Sequence, residues 1–322
     1  MRKVRWGILS TARINSRLAP GMKESSLTEL VAVASRELPR AEAAARELGA
    51  RKAFGSYEEL LSSDEVDAVY ISLPNSLHLE WCIKAAEAGK HVLCEKPLAS
   101  NAVEAKKAVK ACEKEEVLLM EAFMYRHHPQ HAKVREVLSS GRIGEPSVVN
   151  TRHSLSVESM DDIRWKGALA GGALMDVGCY CINASRFIYG SEPIRAKALW
   201  DFNNERGVDQ TTLGVLEFPK DQFASFICSM RMQRTNQYEI IGTEGSIEAT
   251  TAFVPGTADT VVRIRDKSGT EEIVVPGIDQ YRLEVEHFSR AIIEETGLSY
   301  PAENGLANMR AIDLVSNSTL RP

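Results

Sequence analysis

Four short segments of this chain carry side chains that chemistry can use, and each follows an apolar run. Cys94-Glu95-Lys96-Pro97 sets an amine just ahead of a proline, whose ring fixes its own φ and restricts the residue before it. Lys96 therefore sits on a stiffened turn. In Gly7-Ile8-Leu9-Ser10-Thr11-Ala12-Arg13-Ile14-Asn15, the residues Ser10, Ala12 and Asn15 stand where a Gly-x-Gly-x-x-Gly fingerprint has its glycines. Short side chains let an anion approach a helix N-terminus, where free N–H groups and the macrodipole favour it. The same residues equally make a plain strand-to-helix turn with Ser10 or Thr11 as cap. Ala34-Ser35-Arg36 offers a hydroxyl and a planar guanidinium fork, a pair suited to a phosphate. Ser72-Leu73-Pro74-Asn75-Ser76-Leu77-His78 is a Pro-Asn turn able to present backbone groups to a ligand, with His78 either facing it or standing on the helix surface.

The elements around these segments give them a common edge. Residues 4–9, 30–34, 66–71, 91–94 and 117–120 read as strands. Between them, 12–22, 39–48, 77–88 and 100–114 read as helices, with Gly49 and Gly89 as helix stops and Ser56-Tyr57-Glu58-Glu59 as a capping box. Strand alternating with helix across short connections implies a parallel sheet covered on both faces, doubly wound by right-handed crossovers. Such a sheet binds its ligand beyond the carboxyl ends of its strands, where all four segments fall. An acidic residue at the end of the second strand would hold the ribose of NAD. Ser35 and Arg36 there instead suit the 2′-phosphate of NADP, and Glu37 favours NAD only if the strand ends one residue later.

After Phe123 the rhythm changes. Helices are expected over 132–138 and 175–188. Strands are expected over 147–155, 196–202, 211–218, 224–232, 237–241, 246–251, 261–265 and 271–275, and two last helices over 281–295 and 302–318. The expected fold class is α/β. A doubly wound dinucleotide-binding domain fills 1–121, and an α+β domain with a large, mostly antiparallel open sheet fills 122–322, for substrate binding and oligomerisation.

Composition excludes several functions. A net charge of -5 with both signs scattered leaves no basic stripe for nucleic acid, and no apolar run reaches the roughly 20 residues of a membrane span. The six cysteines lie in apolar segments and form no zinc pattern, so buried free thiols and no metal are expected. With a strand pattern starting near Val4, a cytoplasmic location follows as the expectation.

Taken together, Leu73-Pro74-Asn75 to His78, the run Ala88-Gly89-Lys90-His91-Val92-Leu93-Cys94-Glu95-Lys96-Pro97-Leu98, Glu121-Ala122-Phe123-Met124-Tyr125-Arg126-His127-His128-Pro129 and Gly171-Gly172-Ala173-Leu174-Met175-Asp176-Val177-Gly178-Cys179-Tyr180 resemble the Gfo/Idh/MocA oxidoreductase family over nearly the whole chain. The resemblance implies that Lys96 is the catalytic lysine of a Glu-Lys-Pro motif. It also implies that the open sheet makes a homo-oligomer, dimer or tetramer. Many members carry Asp-x-Gly-x-His in the second domain with His as acid/base. Here Tyr180 holds that place, which resembles the glucose–fructose oxidoreductase, dimeric dihydrodiol dehydrogenase and NADP-dependent D-xylose dehydrogenase subgroup.

A tyrosine can exchange the proton of a reacting hydroxyl if its pKa falls from about 10 toward 7 or 8. A drop of about 3 units corresponds to roughly 4 kcal/mol. A lysine ammonium about 4 Å away supplies that much at an effective dielectric near 20. Asp176, one turn before Tyr180, is expected to share its face and to position substrate or tyrosine, or else to pair with an arginine. Arg126, His128, Arg152, His153 and Trp165 are candidate substrate contacts, since sugars favour polar donors and an aromatic floor. The expected activity is NADP(H)-dependent hydride transfer at a sugar-like hydroxyl or carbonyl carbon. The rivals are a ketone or dicarbonyl reductase and a cofactor-binding regulator without turnover.

Overall fold

In the computed structural model, which describes residues 2–318, the apolar runs of the first half become β1 (Val4–Leu9), β2 (Thr28–Ala34), β3 (Lys52–Phe54), β4 (Ala68–Ile71), β5 (His91–Glu95) and β6 (Leu119–Ala122). They pair in parallel in the order β3-β2-β1-β4-β5-β6. Their residues are almost all buried, as strands covered on both faces must be. Helices α1 (Asn15–Glu24), α2 (Leu38–Leu48), α3 (Tyr57–Leu61), α4 (His78–Glu87) and α5 (Ala102–Lys114) connect them. Gly49 closes α2 at φ 71°, a backbone state that costs glycine nothing. Ser56 caps α3 by accepting from the Glu59 amide at 3.1 Å, while the Glu59 carboxylate accepts from Gly55 rather than from the cap itself.

Two features differ from the sequence expectation. β3 was not foreseen: three residues, none fully buried, are too few to show an alternation. The helix Gln280–Glu294, expected with the second half, belongs to the first compact unit, which comprises the residues up to Met124 and Asp279–Leu306. Trp6 of β1 explains the docking. Its ring packs on Phe288 at 5.5 Å and its indole N–H donates to Ser289 Oγ at 3.1 Å.

That helix also buries Glu284, 1% exposed, whose Oε1 has no hydrogen-bond partner. Burial, then the neighbouring Glu95 and Asp279, push its carboxyl well above the usual range. An acid whose folded pKa is raised stabilises the fold below its unfolded pKa of about 4.3, and that contribution is lost as pH climbs to the folded value. Glu284→Gln is therefore expected to flatten the decline of Tm between pH 5 and 9. It should leave the variant at least about 2 °C more stable than the parent at pH 8. Thermal melts across that range check this, and parallel curves would contradict it.

The second unit, Tyr125–Ile278 with the residues from Ala307, holds an eight-stranded sheet. Its strands are β7 (Pro146–Ser156), β8 (Arg195–Asn203), β9 (Val208–Phe218), β10 (Gln222–Ser229), β11 (Arg231–Gly242), β12 (Gly245–Ala249), β13 (Thr260–Asp266) and β14 (Gly269–Val275). They run in the order β14-β13-β12-β11-β7-β10-β9-β8, all antiparallel but for β7 with β10. The expected strand 224–232 breaks at Met230, and a longer strand begins at Arg231. One face carries the core beneath α6 (Pro129–Ser139) and α7 (Cys179–Tyr189). The other leaves Leu199, Leu213, Val215 and Phe223 about half exposed, the alternation that sheets with one open face show.

Candidate active site

In the first unit the strand order reverses between β1 and β4, and the two strand ends are tied by side chains. Ser10 Oγ lies 2.8 Å from Ser72 Oγ, the Ser72 hydroxyl donates to Asn15 Oδ1 at 2.7 Å, and Asn15 Nδ2 donates to the Ser10 carbonyl at 3.0 Å. The ring of donors is closed. Ser10 has φ 141°, a region that favours glycine, so a strained serine stands at the first fingerprint position and its hydroxyl supports the turn from within. The Ala12 amide also donates to Ser10 Oγ, at 3.1 Å. Ser10 is thus not the helix cap; Ile14 fills that place, without a side-chain bond. Thr11, Ala12, Arg13 and Ile14 form the accessible turn itself.

Strand β2 ends at Ala34, as expected, so Ser35 and Arg36 follow it and Glu37 becomes the residue before α2. Ser35 is buried and its amide donates to Phe54 at 3.2 Å, while Arg36 is exposed. Burial raises the Tyr57 phenol, and both Arg36 and Arg40 pull it back, which sets two guanidiniums about one corner. Arg40 was missed in the sequence because it lies a helical turn beyond the motif.

Leu73, Pro74 and Asn75 form the turn after β4, closed by the Leu77 amide on the Pro74 carbonyl at 2.8 Å. His78, expected among the cofactor contacts, is wholly buried, with ring nitrogens 2.9 Å from the carbonyls of Pro97 and Leu73. It pins the β4 turn to the turn of Lys96 and the cis Pro97. Burial pushes its pKa down. Glu95 accepts from the buried Tyr70 hydroxyl through Oε1 and from the Lys96 amide through Oε2, so its carboxylate braces the lysine turn. The Leu98 amide donates to Glu121 on the other side of that turn. Lys90 of the same motif is structural, its ammonium donating to the carbonyls of Ser63 and Val66.

In the second unit Tyr180, 4% exposed, lies in an aromatic cluster. His153 meets it edge-on at 5.0 Å, with Phe253 at 5.5 Å and Tyr125 at 5.9 Å. The Tyr125 hydroxyl donates to Asn183 Oδ1 at 2.5 Å, about one turn after Tyr180. His128 is buried and accepts from the Gln130 amide through Nδ1, so the neutral ring carries its proton on Nε2, which has no partner. Burial pushes its pKa down to about 4. The Arg126 guanidinium lies over the Phe187 ring at 5.0 Å.

Three expectations need correction or refinement here. Arg152 is exposed on the face of β7 opposite His153, because adjacent strand residues point to opposite sides; it does not join the tyrosine cluster. Trp165 is nearly buried and donates to the Val157 carbonyl. It lines a cavity of about 400 Å³ with Ser156, Met160, Gln210, Met230 and Arg231. Asp176 pairs with Arg164 at 2.7 Å, the alternative left open by the sequence. It sits in a π-turn, Leu174–Gly178, so the regular one-turn spacing to Tyr180 is altered by a widened helix. Among the described residues no cluster of metal ligands occurs, and no helix is long and apolar enough to cross a membrane.

Comparison with known proteins extends these observations. Residues 4–123 match the model of an oxidoreductase family with an NAD-binding Rossmann fold, and residues 131–248 match the GFO/IDH/MocA C-terminal domain. The chain is 41% identical to a D-xylose 1-dehydrogenase (NADP(+)) of Haloferax volcanii, over 97% of this chain and 96% of that one. It is 31% identical to a trans-1,2-dihydrobenzene-1,2-diol dehydrogenase of Xenopus laevis, over 93% and 87%. A 3-ketoreductase from Actinomadura kijaniata, solved with NADP and TDP-benzene, superposes with TM-score 0.94 at 32% identity, covering 99% of this chain and 98% of that one. The same reductase has been solved as a tyrosine-to-phenylalanine mutant and as a lysine-to-alanine mutant, at positions spaced as Lys96 and Tyr180 are here.

Proposed function

The chain belongs to the Gfo/Idh/MocA oxidoreductase family, and from that premise we propose that it is an NADP(H)-dependent enzyme exchanging hydride between nicotinamide and a sugar-like hydroxyl or carbonyl carbon, with Tyr180 as acid/base and Lys96 as its partner. The observation that carries this reading is the lysine–tyrosine spacing shared with the reductase across a whole-length match. When bound, the nicotinamide supplies the hydride exchange. The tied ends of β1 and β4 fit a dinucleotide at the point where the strand order reverses, and Arg36 with Arg40 suits a 2′-phosphate.

The chain's own groups do the rest. Tyr180 holds the proton that the substrate oxygen gains or loses, and an ammonium at Lys96 favours the phenolate. Lys96 is held by the Glu95 brace and the His78 pin. The aromatic cluster around Tyr180 excludes water and leaves the substrate oxygen few competing donors. His128 Nε2–H, which has no protein partner, is the candidate contact we assign to the substrate. The half-exposed apolar face of its sheet suits a second copy, giving a dimer or tetramer. The cysteines, all buried and free among the described residues, suit a reducing compartment such as the cytoplasm.

Aldose or diol oxidation is the forward reading, by likeness to the xylose and dihydrodiol dehydrogenases. Reduction of a keto sugar is the second, favoured by likeness to the 3-ketoreductase. A panel of aldoses, cyclitols and diols with NADP+, beside ketoses and dicarbonyl sugars with NADPH, separates them by absorbance of the reduced nicotinamide. Turnover with at least one aldose or diol is expected. No turnover in either direction would leave a cofactor-binding protein without the proposed chemistry.

A further inference from the structure

Building on the proposed role of Tyr180, we infer that Asp209 is a positioning residue: a buried carboxylate on β9 that seats the start of the helix bearing Asp176 and Tyr180. The π-turn opens at Leu174, and the helical Ala173 before it offers no side-chain cap. The first N–H groups of any helix lack intrahelical acceptors. Here the Leu174 amide donates to Asp209 Oδ2 at 2.8 Å, so the cap comes from a strand distant in sequence. The Thr212 hydroxyl donates to the same oxygen at 2.6 Å and fixes its direction.

The other carboxylate oxygen explains a glycine. A Cβ at Gly172 would fall 2.3 Å from Asp209 Oδ1, and Gly172 has φ 115°, so another residue there would meet both the carboxylate and backbone strain. Gly172 thus admits the carboxylate to the helix end. Asp209 is 5% exposed, and its charge opposes the positive end of the macrodipole. Burial raises its carboxyl, while the Thr212 hydroxyl and the Leu174 amide pull it back.

Such an external anchor matters because a single α-type bond, from the Asp176 amide to the Gly172 carbonyl at 2.9 Å, precedes the wider π-turn that leads to Tyr180. A second seat lies at Gly178, where a Cβ would fall 2.8 Å from Cys228 Sγ on β10. Two close approaches to the sheet, one at each end of the π-turn, therefore set where Tyr180 emerges. A displacement of about 1 Å in a reacting group can lower a rate about 100-fold.

The test compares Asp209→Ala, Asp209→Asn and Tyr180→Phe in the full chain, assayed with NADP+ and the best aldose or diol of the panel above. Asp209→Ala is expected to lower kcat by about 10- to 100-fold with KM for NADP+ within about twofold of the parent. Asp209→Asn keeps an acceptor for the Leu174 amide and should recover kcat to within about fivefold. Amide exchange over 174–180 should quicken at least about tenfold in the alanine variant and not in the asparagine one. Should Asp209→Ala fail to fold, Thr212→Val removes one donor and is expected to lower kcat severalfold by the same route. A folded Asp209→Ala, or in its place Thr212→Val, with parental kcat and exchange overturns the inference while an inactive Tyr180→Phe upholds the reading beneath it. A fully active Tyr180→Phe overturns that reading instead.

Discussion

Tyr180→Phe is expected to lower kcat by about 10²- to 10⁴-fold while the Kd for NADPH, read by nicotinamide fluorescence, stays within about twofold. The substitution removes one oxygen from a ring that keeps its neighbours His153, Phe253 and Tyr125, so the fold should be little disturbed. Only the proton route is lost, and an interaction made in the transition state lowers kcat without weakening ground-state binding. Lys96→Ala should produce a loss of similar size, because the ammonium proposed to favour the phenolate is gone. The activity that remains in Lys96→Ala should rise toward high pH, where hydroxide restores the phenolate that the ammonium no longer favours. A Tyr180→Phe enzyme with parental kcat would remove the acid/base assignment.

Arg36→Ala should raise the KM for NADP+ by about 10- to 100-fold and leave that for NAD+ nearly unchanged. A charge-assisted hydrogen bond contributes about 1.5–3 kcal/mol, and each 1.4 kcal/mol is a factor of ten. Arg36 is exposed in the structure, so its removal opens no cavity in the core. Arg40 shares its corner beside Tyr57 and should hold part of the phosphate affinity, which places the single variant toward the lower end of that range. Steady-state kinetics with both nicotinamides checks the selectivity. Equal changes for both would mean that Arg36 does not read the phosphate.

The parallel half was legible because strands buried on both faces write themselves as apolar runs, and the glycines and turns between them punctuate the chain. The ends of β1, β2, β4 and β5 lay close to where the sequence put them. Docking was less legible. The amphipathic pattern of Gln280–Glu294 announces a helix but not the sheet it covers, and the Trp6–Ser289 bond joins residues from nearly opposite ends of the chain.

Side-chain direction was lost in two ways. His78 has the residue type of a ligand contact, yet two backbone carbonyls claim its ring. Arg152 and His153 are neighbours in sequence and face opposite sides of β7. Buried acids such as Glu284 and Asp209 were invisible because the sequence reads a carboxylate as a solvated group until its neighbours are known. The Ser10–Ser72–Asn15 ring shows the same limit. The sequence identified small residues in place of glycines, and only their contacts reveal that they bond to one another.

The central claim is that Lys96 and Tyr180 serve one substrate oxygen as a unit. A double-mutant cycle on kcat with Lys96→Ala, Tyr180→Phe and their combination tests it most directly. Residues that act together are non-additive, so the double variant is expected to lose no more than about threefold beyond the worse single one. Losses that multiply, each substitution removing its full share in the presence of the other, would contradict a shared proton step.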